Sequence, residues 1–172
     1  IYSLPDGERA ELINGQIYYM APPSRKHQEI AGELFTSINN YIHSNGGPCK
    51  PYIAPFAVYL HENDKTYVEP DISVICDPNK LNDKGCSGAP DWIIEIVSPS
   101  SKPMDYYTKL SLYRDAGVRE YWIVDPLRQI ILVYDMEHGD SPVIHSFNDS
   151  IPVRIYPGFS IDFSQLKLWY HC

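Results

Sequence analysis

The stretch "DWIIEIVSPS", residues 91–100, reads as a strand with one acid set into it. Trp92, Ile93, Ile94, Ile96 and Val97 are apolar on both alternating faces, as in a central strand covered from both sides. Glu95 interrupts that run. An ionised carboxylate in such surroundings costs several kcal/mol unless a partner or a cation satisfies it. What packs over Glu95 therefore decides both the fold and the chemistry.

Outward from this strand, the chain divides into short recognisable pieces. Residues 8–21 read as a hairpin: "RAELI" and "QIYYM" flank Asn14-Gly15, a strong two-residue hairpin signal. Pro22-Pro23-Ser24 breaks the chain, and Ser24 suits a helix N-cap. A helix is expected to about Ser44, with His27, Ile30, Ala31, Leu34, Ile38, Tyr41 and Ile42 on one stripe, before "NGGP" at 45–48 stops it. "IAPFAVYLHE" and "TYVEPDISVIC" read as two strands joined by the turn "ENDK", and residues 77–90 as a polar loop. After "SPSSKP" a helix is expected over Met104–Ala116, ended by Gly117, and then a strand "EYWIVDP". "QIILVYDM", the turn "EHGDS" and "PVIHSF" begin a β-rich tail. This order predicts one α/β (α+β) domain over residues 1–172, a mixed sheet with helices packed on it.

The chain of 172 residues carries 14 basic and 22 acidic side chains, a net charge of −8. That balance argues against broad non-specific grip on DNA, which needs a basic surface. It leaves room for a local basic groove and for a cluster of carboxylates around a metal. No apolar run approaches the roughly 20 residues of a membrane helix, so no membrane partner is expected. No secretory signal is visible, and the start at Ile1 without a methionine leaves room for a segment upstream. Cys49, Cys76, Cys86 and Cys172 lack paired metal-ligand spacing and read as free thiols in a reducing, cytoplasmic setting. In that setting the glycosylation acceptor Asn148-Asp149-Ser150 carries no weight. Dinucleotide, P-loop and α/β-hydrolase motifs are absent, as are internal repeats.

Asp71 repeats the question that Glu95 raises. It follows Pro70 and precedes "ISVI" in what should be a neighbouring strand. If the two strands pair in register, both carboxylates lie on one face and form a hard-oxygen site for Mg²⁺ or Mn²⁺. The plainer reading is two acids at strand ends, solvated or capping loops. Phosphodiester cleavage also needs a fixed cation against the charge that builds on phosphate. Two residues after Glu95, where a lysine would serve, stands Val97. In the next helix, Asp105, Lys109, Leu112, Tyr113 and Ala116 share one stripe, which turns Lys109 towards the sheet. A lysine there either reaches a polar site or snorkels to the edge beside Asp105.

The blocks "ELINGQIYYM", "SRKHQEI", "VEPDISVI", "DWIIEIVSPSS" and "DYYTKLSLYRDAGVREYWIVDP" resemble, in this order, a bacterial family of restriction-endonuclease relatives with a Uma-type domain, in the PD-(D/E)XK nuclease superfamily. The resemblance implies a restriction-endonuclease-like core and an Mg²⁺- or Mn²⁺-dependent endonuclease. It implies that Asp71 and Glu95 are the metal-binding acids and that the lysine has moved from strand to helix, as Lys109. It adds Glu11 of the first hairpin as a further metal or water ligand. It also adds His27, opening the first helix, as a residue of the site. By pattern alone, a lone inward histidine is more often a core residue. The family often has an acid where Gln16 stands; that side chain should point outward, without loss of chemistry.

Three functions follow as expectations. The first is a nuclease acting on nucleic acid, chiefly DNA, with Arg25, Lys26, Lys102 and Arg114 meeting its backbone. The second is an inactive binding or regulatory module on the same fold. The third is a component working with a partner protein through Tyr121, Trp122 and Tyr134, although aromatics so placed are more often core. A homodimer is compatible with the sequence, which does not fix the oligomeric state. Asp135, Glu137 and His138 cluster in "DMEHGDS" but read as a solvated hairpin turn.

Overall fold

The computed structural model describes residues 4–62 and 65–169, and its first element is the hairpin that Asn14-Gly15 predicts. β1 (Ala10–Ile13) and β2 (Gln16–Tyr19) pair antiparallel with Ile13 opposite Gln16. Asn14 and Gly15 both take positive φ, 50° and 81°, which is the twist a two-residue loop needs. α1 (Arg25–Asn45) follows, its N-terminus capped by Ser24 Oγ accepting from the His27 N–H at 3.2 Å. Ile30, Leu34, Ile38 and Ile42 form its buried stripe.

The first long strand expected next is formed only in part, and the second is cut in two. β3 (Lys50–Ile53) begins before the first region and ends at its first residue, β4 (Val58–Tyr59) lies within it, and β5 (Tyr67–Val68) and β6 (Ile72–Ile75) come from the second. Pro55 and Pro70 sit at the cuts. A proline cannot donate to a ladder, so the chain leaves one sheet there and joins another. The turn "ENDK" lies partly outside the described residues. The expected polar loop contains a further hairpin, β7 (Leu81–Asn82) and β8 (Gly85–Ser87). Gly85 is required there: its φ is 138°, and a Cβ would collide with the Ala57 carbonyl oxygen.

β9 (Trp92–Ile96) is the strand that carries Glu95, and every residue of it is buried. A π-helical turn, Met104–Thr108, runs into α2 (Lys109–Ala116), which Gly117 ends at φ 96°. Then come β10 (Glu120–Asp125), β11 (Ile130–Asp135), β12 (Val143–Ser146), β13 (Ser150–Pro152) and β14 (Ser160–Asp162). The central sheet has the order β12-β11-β10-β9-β6-β3, and a second six-stranded sheet the order β2-β1-β5-β4-β8-β7. β9 and β10 run parallel, which requires a crossover, and α2 is that crossover. It is carried back over the strand that holds Glu95.

Two cores result. Trp92, Ile94, Ile96, Trp122 and Val124 face α1 and the C-terminal tail. Ile93, Val97, Tyr121 and Ile123 face α2 and the second sheet. Tyr121, Trp122 and Tyr134 are buried in these cores and offer no interface. The free-thiol reading is corrected at two positions. The β3–β6 register places Lys50 opposite Ile75, hence Cys49 beside Cys76, and the two form a disulfide. Sequence spacing could not reveal a pair that strand register creates. Cys86 is a buried free thiol, and Cys172 lies outside the described residues.

Glu120 ties the tail to the central sheet. Its buried carboxylate accepts from Trp122 Nε1 at 2.5 Å, from the Arg154 N–H at 2.7 Å and from the Ile155 N–H at 2.9 Å. Burial pushes its carboxyl up to about 7 against the pull of these donors. Glu120→Ala strands three donors and should cost about 3 kcal/mol in chemical denaturation. A carboxyl raised in the folded state contributes stability below the ordinary carboxylate range and loses it as pH climbs towards the folded value. Wild type should therefore lose stability relative to Glu120→Gln between about pH 4.5 and 7.

Candidate active site

β6 and β9 pair antiparallel with Ile72 opposite Ile94, and continuing that register sets Asp71 beside Glu95. The Asp71 N–H points at Glu95 Oε2 at 3.4 Å, and Asp71 Oδ2 accepts from the Ile96 N–H at 2.7 Å. Asp71 thus caps the end of β9 while its other oxygen, Oδ1, lies 3.1 Å from His27 Nε2. His27 stands in the first turn of α1, whose buried stripe holds that helix end against the sheet.

Lys109 does not snorkel. It is buried, and Nζ donates to Glu95 Oε1 and to Glu11 Oε1, both at 2.9 Å, with Asp105 Oδ1 at 3.9 Å. Each partner comes from a different element: Glu95 from β9, Glu11 from β1 of the second sheet, Asp105 from the π turn. Glu11 is held in turn by the Glu69 N–H at 3.0 Å. Tyr113, one turn beyond Lys109, donates to Glu95 Oε1 at 2.6 Å. Ser101 donates to Asp105 Oδ2 at 2.6 Å. Glu11, His27, Asp71, Glu95, Asp105 and Lys109 border one cleft of about 950 Å³. All five expected site residues meet there. Val97 packs in the core beside α2, so the amine that its strand position lacks arrives from the helix.

Four acids face one lysine and one histidine, and the titrations follow. Burial pushes the Glu95 carboxyl well above its usual range; Lys109 pulls it back, while Asp71, Asp105 and Glu11 push it further. Burial likewise raises Asp105, to about 6, against the pull of Lys109 and Ser101. Burial alone would lower the Lys109 ammonium, but Glu95, Glu11 and Asp105 outweigh it and hold the amine charged, well above the ordinary lysine value. Burial works against the His27 imidazolium too, yet the hydrogen bond and charge of Asp71 leave its pKa raised. Its Nδ1 is buried without a hydrogen-bond partner.

The donor set fits a hard divalent cation: three carboxylates, Glu11, Asp71 and Glu95, with more negative charge than Lys109 and His27 offset. These acids border the cleft without converging tightly. Among the described residues, the three such groups with ligand atoms within 4.8 Å of one another are Asp135, Glu137 and His138. There Glu137 is held by Arg119 at 2.9 Å and Asp135 caps the turn, so the cluster is the solvated hairpin that its sequence suggested. The outlying cations are scattered. Lys26 lines the cleft, Arg25 is exposed and 3.4 Å from Glu29, Lys102 is 3.9 Å from Asp125, and Arg114 is turned to Asp140 at 3.7 Å. Two residues of the site were visible in the sequence only as members of a helical stripe. Asp105 and Tyr113 sit four residues either side of Lys109, and an acid and a phenol so spaced around an inward lysine were the available signal.

The fold is restriction-endonuclease-like. Its likeness to the crystal structure of a protein from Anabaena variabilis, described as a putative nuclease belonging to DUF820, has a TM-score of 0.79 at 21% identity and covers 98% of this chain and 95% of that one. The chain belongs to the Uma2 family, described as "Putative restriction endonuclease", whose family model matches residues 1–164. It is also 30% identical over 135 residues to an uncharacterized protein of Synechocystis sp., covering 77% of this chain and 70% of that protein. Among the described residues no helix is long and apolar enough to cross a membrane.

Lys109→Met keeps the length of the side chain and removes the charge between Glu11 and Glu95. Breaking a buried ion cluster from one side costs about 3–5 kcal/mol. Glu95 is an acid raised in the folded state, so its ionisation opposes folding as pH rises, most strongly without the lysine. The variant's deficit in thermal or chemical denaturation should therefore be smaller near pH 5 than near pH 8.

Proposed function

We propose that this chain is a metal-dependent nuclease that hydrolyses phosphodiester bonds of nucleic acid, with DNA the favoured substrate. The observation that carries the reading is the buried Lys109 amine held between Glu95 and Glu11, beside the Asp71–His27 pair, at the floor of an open cleft. A phosphoryl centre attacked by water gathers negative charge, and a fixed ammonium beside it lowers that cost without reorganising. The three carboxylates supply hard oxygens for Mg²⁺ or Mn²⁺, which when bound acidifies water and neutralises phosphate charge.

Each residue then has a task. Asp71, Glu95 and Glu11 would hold the cation. Lys109 presents its charge to the phosphate or the attacking water, and Tyr113 fixes the Glu95 oxygen that steers it. His27, kept more readily protonated by Asp71 and 3.1 Å from it, would position that acid and bring positive charge near the phosphate. Lys26 at the cleft, and Arg25 and Lys102 adjoining lining residues in the chain, suit the nucleic-acid backbone, whereas Arg114 is turned to Asp140.

One other reading has an observation behind it. Lys109 already satisfies Glu11 and Glu95, and the cleft acids do not converge as closely as the surface cluster. A binding module on the same fold could keep such a bridge for stability alone. Metal affinity separates the two. The nuclease should gain about 2.7 kcal/mol of stability when Mn²⁺ reaches about 100 times its dissociation constant. Asp71→Ala should abolish that gain and lower cleavage of DNA by at least about 100-fold. A protein that neither gains stability with Mn²⁺ nor cleaves is the binding module. Cleavage that survives Asp71→Ala unchanged would place the chemistry elsewhere.

A further inference from the structure

The mouth of the cleft is made of different material from its floor. Tyr19 at the end of β2 is 69% exposed, Leu127 after β10 is 61% exposed and Ile53 at the end of β3 is 39% exposed, and all three line the cleft that holds Asp71 and Glu95. Three separate elements thus bring apolar and aromatic surface to one opening, where solvation alone would favour polar side chains.

The charges around this opening are poorly suited to a duplex. Four basic residues line the cleft: Arg9 is bound to Glu69 through Nε at 2.8 Å, Lys109 is enclosed by acids, His27 stands 3.1 Å from Asp71, and Lys26 is the fourth. The floor presents Glu11, Asp71, Glu95 and Asp105, and the chain as a whole carries −8. A duplex hides its base faces and offers phosphates, so its affinity comes from cations that neutralise them. A single strand offers base faces, which stack on aromatic side chains and pack on apolar ones whatever the sequence.

We propose that the cleft takes single-stranded nucleic acid, its bases packed against Tyr19, Leu127 and Ile53 while a phosphate is led to the acids below. This rests on the nuclease reading for what the floor does, but not for what the mouth binds. DNA and RNA single strands share the base-face chemistry, and the sugar is decided by the test.

The test is fluorescence anisotropy with short labelled oligonucleotides: single-stranded DNA, single-stranded RNA and blunt duplex DNA. Titrations are made in EDTA and again with Ca²⁺, at two salt concentrations, and cleavage of the same oligonucleotides is followed with Mn²⁺. One of the single strands should bind at least about 10-fold tighter than the duplex, with a shallow salt dependence. Tyr19→Ala, an exposed position that the fold can spare, should weaken that binding about 5- to 100-fold and leave the Mn²⁺-induced thermal shift in place. Leu127→Ala is the second variant and should act in the same direction. Equal or tighter binding of duplex, no binding of any oligonucleotide in either condition, or indifference to both variants overturns the proposal. Single-strand binding without cleavage upholds it and removes the nuclease reading. Cleavage confined to duplex does the reverse.

Discussion

The buried ammonium of Lys109 is the interaction on which the site depends. Its partners Glu95 and Glu11 come from the central sheet and the second sheet, and the lysine itself from the crossover helix between parallel strands. An ammonium this deep survives only because several carboxylates outweigh the cost of desolvating it. Glu95 and Glu11 are in turn bridged by it. Removing either side leaves buried charge of one sign, so the cluster couples the packing of three elements to one electrostatic balance.

Placing the lysine on the helix rather than two residues beyond Glu95 has a consequence for the strand. Val97 is free to be a core residue, and β9 keeps its apolar alternation to the end. The amine is held by Glu95 and Glu11, with Asp105 of its own helical stripe 3.9 Å away, and Tyr113 of the same stripe donates to the Glu95 oxygen that the amine also binds. The π turn that carries Asp105 lies at the site, where such departures from α geometry are common. Besides these polar groups, the cleft is lined by the exposed apolar and aromatic side chains of Tyr19, Ile53 and Leu127.

Some of this is legible in the sequence alone. The Asn14-Gly15 hairpin, the Ser24-capped helix and the helix ended by Gly117 are local: turn chemistry, capping and one-sided periodicity specify them within a few residues. Glu95 announces itself because an acid within an apolar strand needs a reason. The inward side of Lys109 follows from helical spacing. Its destination does not, because snorkelling beside Asp105 has the same pattern.

Other features are decided only when distant segments meet. The second sheet is hidden in the sequence, because its pieces are two to four residues long and two of them read as parts of longer strands that Pro55 and Pro70 divide. That sheet is what carries Glu11 to Lys109. The Cys49–Cys76 disulfide depends on the β3–β6 register, and the Asp71–Glu95 juxtaposition on the β6–β9 register. By itself, the sequence determined the first hairpin, the two helices and the buried strands that carry Glu95 and Tyr121, since those obey short-range sterics and the burial of apolar stripes. Which acids share a lysine, and which surfaces frame the cleft, belongs to the tertiary structure, because register and sheet exchange depend on contacts between residues far apart in the chain.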